Sequence, residues 1–292
     1  MNDWTIIKIL SWTESYFQKH AIDSPRLTAE ILLAYCLDIK RLDLYLQHDR
    51  PLNQNELSDF KAVIRKRTAN QPLAYITGEK GFFEADFKIT NDVLIPRPDT
   101  ETIVEQALKI LNKDRGTGSM NILELGTGSG AIIISLAKEN PHNQYFAGDF
   151  SSAALAVAKK NSEEIVNNRI NFFCTHWLSS IKASVKFDLI VSNPPYIPSG
   201  DISKLQPEIK DFEPMLALDG GEDGLDSIRL ILKKAHFYLV PEGVILLEIG
   251  FDQKDGVLNI IKKYSQYQSM KFIKDFSGHT RVAIIKKSAV FC

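Results

Sequence analysis

The sequence predicts an α/β fold. A mostly parallel sheet has helices on both faces, ends in a C-terminal antiparallel hairpin and is preceded by a small helical region. Three observations point to it. From Asn121 onward, short apolar runs alternate with helix-length amphipathic stretches. A glycine-rich turn, Gly126-Thr127-Gly128-Ser129-Gly130, joins the first of these runs to a helix. The residues before about 75 show only the helical period. The chain has 292 residues, 44% hydrophobic and 24% charged, which is ordinary globular composition for one large domain or two smaller ones.

In the first region, Ile6, Ile7, Leu10, Tyr16 and Phe17 recur near helical spacing. Ser24-Pro25 is a start signal, with proline at the first helical position, leading into Ala29–Tyr35. Asn53 to Arg67 reads as a third amphipathic helix with Leu57, Phe60, Val63 and Ile64 on one face. Its last turn carries Lys61, Arg65, Lys66 and Arg67. These cations suit either a solvated helix C-terminus or a contact surface for a macromolecule bound to RNA.

Residues 71 to 99 change character. Phe82–Ile89 reads as hairpin strands punctuated by Gly78 and Gly81. In Leu94-Ile95-Pro96-Arg97-Pro98-Asp99-Thr100-Glu101 the two prolines hold the chain extended. Asp99 or Thr100 is expected to cap the helix through Val104 and Leu108. The spacing leaves a structural and a functional role for this segment equally open. Lys113–Ser119, with Gly116 and Gly118, is the expected flexible joint.

The alternating part follows. Ile122–Leu125 is a strand, with a helix from Ala131 to about Glu139 after the glycine turn. Tyr145–Asp149 is a strand, and Ser151 is the expected cap of a helix to Asn161. Ile170–Phe173 and Phe187–Val191 are further strands. Leu225–Tyr238 is a helix, Val244–Ile249 a strand and Val257–Tyr264 a helix. Met270–Phe276 and Arg281–Lys286 pair as a hairpin through Gly278.

Two loops carry the chemistry. Glycines after the first strand let backbone approach a ligand, and the following helix N-terminus favours anionic or polar groups. Asp149 ends the next strand, 19 residues beyond Gly130, where an acid suits the hydroxyls of a ribose. With Ala131 the loop also satisfies the dinucleotide fingerprint, so glycines plus acid do not separate an NAD enzyme from one that uses S-adenosylmethionine. Asn193-Pro194-Pro195-Tyr196 does separate them. A strand that runs into two prolines must leave the sheet, here in a stiff loop at a carboxyl strand end. The loop offers an amide, free carbonyls and a flat ring, a set that can hold a planar group bearing an NH2. Hydride transfer has no use for such a clamp; methyl transfer to an exocyclic or amide nitrogen does. The plain alternative is a turn capping a core strand.

The net charge of −1 gives no bulk argument for a nucleic-acid or membrane partner. No secretion signal is expected, since Met1-Asn2-Asp3-Trp4 lacks a basic region followed by an apolar core, and apolar runs such as Ala131–Ala137 are too short to span a bilayer. Cys36, Cys174 and Cys292 fit no disulfide framework or zinc spacing, so a reduced cytoplasm is expected. No metal is implied. His20, His48 and His236 are scattered and read as surface or packing residues.

The sequence resembles the HemK/PrmC family over nearly its whole length. The most specific segments are Gln71–Gly78, Leu94–Glu101, Glu124–Gly130 and Asn193–Tyr196, with Phe212-Glu213-Pro214, Ala217-Leu218 and Leu246–Gly250 fitting as well. That family methylates the glutamine of the Gly-Gly-Gln tripeptide in peptide chain release factors. The resemblance implies a Rossmann-like class I S-adenosylmethionine-dependent methyltransferase domain at 100–292. The helical region at 1–75 holds no cofactor motif yet is large enough for a small core of its own, so it is expected to be a substrate-recognition domain, joined by a β-hairpin linker at 76–99. The resemblance assigns Gly126, Thr127, Gly128, Ser129, Gly130 and Asp149 to the cofactor, adds Trp177 near the adenine, and gives Asn193 contacts to cofactor and substrate. Asn193, Pro194, Pro195 and Tyr196 would hold the substrate glutamine. An amide nitrogen is a poor nucleophile that needs orientation and acceptors for its N–H bonds rather than a strong base. The Asn193 side-chain oxygen and Pro194 carbonyl can accept those bonds, and Tyr196 can stack on the amide. Two residues depart from the family pattern: His176 stands where an acid is usual, and Phe150 follows Asp149 where smaller or polar residues are common. Release factors are the implied partners, with no direct nucleic-acid contact. An adenine-specific nucleic-acid methyltransferase and a non-catalytic nucleotide-binding module are the competing readings.

Overall fold

A computed structural model describes residues 4–113 and 118–289. The expected joint at Lys113–Ser119 falls mostly outside the described residues, as do the start of the chain and Cys292. The chain forms two compact units. One runs to Gly78 and takes in Pro207–Phe212; the other comprises Glu79–Gln206 and the residues from Glu213 onward.

The first unit is helical: α1 (Ile6–Lys19), α2 (Pro25–Leu37), α3 (Arg41–Leu46), α4 (Gln54–Thr68) and α5 (Leu73–Thr77). Local chemistry sets two of the starts. Pro25 opens α2, and Asn53 caps α4 in a reciprocal pair with Glu56. The apolar faces close on a core that includes Ile6, Phe17, Leu32, Leu33, Phe60 and Ile64. Lys61, Arg65 and Lys66 are exposed. Arg67 is not part of a solvated face. It is buried, donates to the Gln71 carbonyl at 3.1 Å and pairs with Glu208 at 2.8 Å.

The second unit starts with an antiparallel hairpin, β1 (Glu79–Phe82) and β2 (Ala85–Lys88), followed by α6 (Glu101–Lys113). Then come β3 (Asn121–Leu125), α7 (Ala131–Glu139), β4 (Gln144–Asp149), α8 (Ser152–Val166), β5 (Ile170–Cys174) and β6 (Phe187–Ser192). A short helix, α9 (Pro207–Lys210), lies in the segment that returns to the first unit. The chain closes with α10 (Asp226–Tyr238), β7 (Leu239–Glu248), α11 (Lys254–Ile261), β8 (Tyr267–Lys274) and β9 (Thr280–Lys287). The seven-stranded sheet has the order β5-β4-β3-β6-β7-β9-β8. The first five are parallel, and β9 runs antiparallel to both neighbours. Helices α6, α7 and α8 pack side by side on one face; α10 and α11 cover the other.

Burial explains the sequence pattern. The β3 and β6 side chains are almost all buried, as central parallel strands require, and α7 is buried from Ala131 through Ala137. Ser151 caps α8 as expected, accepting the Ala154 N–H at 3.1 Å. Strand β7 begins five residues before the expected Val244. Pro241 and the positive φ of Glu242 (65°) mimic a strand break, and a register shift against β6 absorbs them. Asn161, buried in α8, ties the hairpin to the glycine turn: it accepts the Lys88 N–H and donates to the Ser129 carbonyl, both at 2.8 Å.

Candidate active site

Strand β3 lies between β4 and β6, so the chain leaves β3 on one side and returns on the other. A crevice opens at the carboxyl ends of strands where such a reversal occurs. Here it is a cavity of about 380 Å3.

The glycine turn forms its floor. Gly126 (φ 72°) and Gly128 (φ 54°) lie in the left-handed region. A Cβ on Gly126 would meet the Trp177 ring at 3.6 Å, so that ring rests on the turn. A Cβ on Gly128 would meet nothing within 4 Å, which leaves its backbone open to the cavity. Asp149 holds the turn in place. Its carboxylate accepts the Gly128 N–H at 2.8 Å and the Ser151 N–H at 2.9 Å. A carboxylate has about four lone-pair sites, so two acceptor positions remain for a ligand's hydroxyls.

After β5, Thr175 donates to the Trp177 carbonyl at 2.9 Å and fixes Trp177 at φ 54°, an unusual backbone for a bulky residue. His176 and Phe150 both line the cavity, and their rings meet edge to face with centroids 5.7 Å apart. The two departures from the family pattern are therefore neighbours. Glu124, at the end of β3, is buried against the cavity and accepts from the Thr127 hydroxyl. Burial pushes its carboxyl up to about 8; the Asp149 charge adds to this and the Thr127 hydroxyl opposes it.

The Ser192 hydroxyl donates to the Leu125 carbonyl at 2.7 Å and locks the end of β6 beside the glycine turn. The next residue, Asn193, therefore enters the cavity, and its Nδ2 donates to Thr100 Oγ1 at 3.3 Å. Pro195 also lines the cavity. Pro194 is buried behind it, and the Tyr196 hydroxyl turns toward Glu248 at 3.4 Å. Two contacts hold the Tyr196 backbone. Gln253 Nε2 donates to its carbonyl at 2.8 Å, and Gly224 approaches so closely that a Cβ there would lie 2.2 Å from that oxygen.

The Pro-Arg-Pro segment forms another wall through Leu94, Pro96, Arg97 and Thr100. Buried Glu213 pins it, accepting the Ile95 N–H at 3.2 Å and pairing with Arg97. The two candidate caps of α6, Asp99 and Thr100, both have their side chains engaged in the site. Asp99 pairs with Arg281 at 3.0 Å, and Thr100 receives Asn193.

The cavity thus gathers Gly126, Thr127, Gly128, Ser129, Asp149, Trp177, Asn193 and Pro195 from the sequence reading. Gly130 sits behind the wall, as the residue before α7. Thr100, Glu124, Arg97 with Glu213, and Glu248 were not singled out as site residues from the sequence. For Glu213 the signal was its place in Phe212-Glu213-Pro214; for Glu248, an acid inside an apolar strand. An open glycine backbone, a carboxylate with spare acceptor sites and a flat indole together fit a nucleoside-bearing cofactor.

Two family models match the chain: PrmC N-terminal domain over residues 8–78 and methyltransferase small domain over residues 102–207. The release factor glutamine methyltransferase of Geobacter sulfurreducens is 42% identical over 260 residues, covering 89% of each chain. That of Chlorobaculum tepidum is 38% identical over 280 residues, covering 94% of each. The chain belongs to the release factor glutamine methyltransferase family. The crystal structure of a methyltransferase from Pyrococcus furiosus aligns with 79% of this chain and 100% of its own, at a TM-score of 0.50 and 22% identity, a likeness of fold. Among the described residues no helix is long and apolar enough to cross a membrane.

Proposed function

We propose that the protein transfers a methyl group from S-adenosylmethionine to the side-chain amide nitrogen of the glutamine in the Gly-Gly-Gln motif of peptide chain release factors. Membership of the family supports the reaction class. One observation carries the reading at the level of chemistry: Asn193 shares a cavity with the glycine turn and Asp149, and its amide is held by a hydrogen bond.

Asp149 and the backbone of Gly126–Gly130 would hold the cofactor's ribose and its polar groups, and the Trp177 ring would pack on the adenine. S-adenosylmethionine supplies a methyl group on a sulfonium, activated without help from a metal or base. What remains for the protein is orientation. Asn193 Oδ1 and the Pro194 carbonyl would accept the two N–H bonds of the substrate amide. Both acceptors gain strength as nitrogen becomes positive, which favours the transition state over the ground state. The stiff Pro194-Pro195 backbone keeps the acceptors in place between turnovers.

The test is single-turnover transfer of labelled methyl at saturating cofactor. Wild-type protein is expected to label a release factor and to leave DNA and a Gln→Ala release factor unlabelled. Asn193→Ala is expected to slow transfer by about 10²-fold or more while melting like wild type, comparable to loss of one preorganised electrostatic partner. Near wild-type transfer by folded Asn193→Ala would show that the loop only shapes the cavity.

A further inference from the structure

The cavity carries a single permanent cation. Among the described residues that line it, Arg97 is the only lysine or arginine, set against the carboxylates of Asp92, Asp149, Asp219 and Asp226. Glu124 lines it too, but burial pushes its carboxyl up to about 8, so it keeps its proton at neutral pH. S-adenosylmethionine carries a positive sulfonium, a positive ammonium and an α-carboxylate. The carboxylate is its only anion, and an acid-lined cavity repels it everywhere except at Arg97.

Arg97 is held ready for such a contact. Pro96 and Pro98 flank it, and its backbone is extended (φ −98°, ψ 144°). Its Nη2 donates to Oε1 of Glu213, which is buried, while Glu213 Oε2 accepts the Ile95 N–H at 3.2 Å. One acid thus fixes both the side chain and the segment that carries it. A guanidinium has five N–H donors in a planar fork, and Glu213 engages one end of it. The Arg97 side chain remains 34% exposed, so other N–H groups stay within reach of a ligand. A ribose at Asp149 and a methyl group aimed at Asn193 leave the cofactor's amino-acid end to meet another wall. The wall that offers a cation is the Pro-Arg-Pro segment.

We propose that Arg97 binds the α-carboxylate of S-adenosylmethionine and makes the site select a cofactor that carries it. The proposal rests on the cofactor reading above and adds the residue that reads the cofactor's amino-acid end. The cavity's field alone predicts the opposite preference. Removal of the carboxylate takes the cofactor from one net positive charge to two, and the cavity's acids attract the second form more strongly. A preference for the carboxylate form therefore requires a specific contact. A charge-assisted pair with a fixed guanidinium supplies it.

The experiment measures, by calorimetry at neutral pH, the affinity for S-adenosylmethionine and for its decarboxylated analogue. The proteins are wild type, Arg97→Met and the double variant Arg97→Met, Glu213→Gln, each with its melting temperature. Arg97→Met alone leaves the Glu213 charge buried and unpaired and is expected to melt lower. The double variant removes both charges and keeps an acceptor for the Ile95 N–H, so it preserves the wall and the net charge of the cavity. Wild type is expected to bind S-adenosylmethionine at least about tenfold more tightly than the analogue, the scale of one hydrogen bond to a charged group. In the double variant the preference is expected to disappear through lost affinity for S-adenosylmethionine, with the analogue bound as by wild type. A wild-type protein without the preference, or a folded double variant that keeps it, would overturn the proposal. Equal losses for both ligands would overturn it as well, because Arg97 would then only brace the wall. If wild type binds S-adenosylmethionine and the analogue equally, the cofactor reading stands and the role of Arg97 falls. If it binds neither, both fall.

Discussion

Each oxygen of the Asp149 carboxylate already accepts one backbone N–H, from Gly128 or from Ser151. The residue that would bind the ribose thus also shapes the turn that would receive the rest of the cofactor. Asp149→Ala is expected to weaken S-adenosylmethionine binding by about 1.5–3 kcal/mol, the scale of hydrogen bonds to a charged group. Calorimetry checks this, and unchanged affinity would remove Asp149 from the binding role. Glu124 makes a prediction about pH. Its folded-state pKa is raised from the ordinary 4.5 to about 8, chiefly by burial. Between these values the folded chain holds a proton that the unfolded chain has released. The stability this group contributes is complete below pH 4.5 and is lost as pH rises through about 8. Glu124→Gln keeps the shape and cannot titrate, so its melting temperature is expected to fall less than wild type's between pH 5 and 8. Parallel curves for the two proteins would show that Glu124 does not carry this dependence.

At the scale of elements, the loop after β6 depends on neighbours far away in sequence. Gly224 has φ +74° and touches the Tyr196 carbonyl, while Gln253 bridges that carbonyl and the Gly250 N–H. Gly224→Ala adds both backbone strain and a clash, and is expected to cost about 1–3 kcal/mol of stability. It should slow methyl transfer more than it weakens cofactor binding, because the displaced group is Tyr196 and not the glycine turn. Equal losses in both would place the damage elsewhere. The same contacts explain what the sequence made legible. Buried parallel strands and their helices were readable because burial on both faces leaves apolar runs, and the glycine turn because positive φ demands glycine. Ser199–Lys204 and Met215–Ala217 form 3-10 turns with no periodicity to read, since tertiary contacts shape them. Of Asn193–Tyr196 the place was legible, yet the inward turn of Tyr196 was not. It depends on Glu248, 52 residues later, as the Pro-Arg-Pro wall depends on Glu213, 118 residues beyond Ile95.

At the scale of the whole molecule, the helical unit has a core of its own and exposed apolar side chains. Its proposed role is recognition of the protein substrate, and α3 gives that role a testable face. Glu30, buried in α2, accepts from the Tyr45 hydroxyl and pairs with Arg26 at 2.7 Å and Arg41 at 3.8 Å, so α3 is anchored to α2 from both ends. Leu42 and Leu46 lie one turn apart on this anchored helix and are 68% and 73% exposed. A single exposed leucine needs no explanation, but a fixed pair on one face presents apolar area to a partner at little cost in side-chain ordering. The double variant Leu42→Glu, Leu46→Glu removes that area without touching the core. It is expected to raise KM for intact release factor by roughly tenfold, equivalent to about 1.4 kcal/mol of contact energy. Transfer to a short Gly-Gly-Gln peptide should be unchanged, because the peptide reaches only the cavity, and the melting temperature should match wild type. A KM for intact release factor equal to that of wild type would take α3 out of the recognition surface.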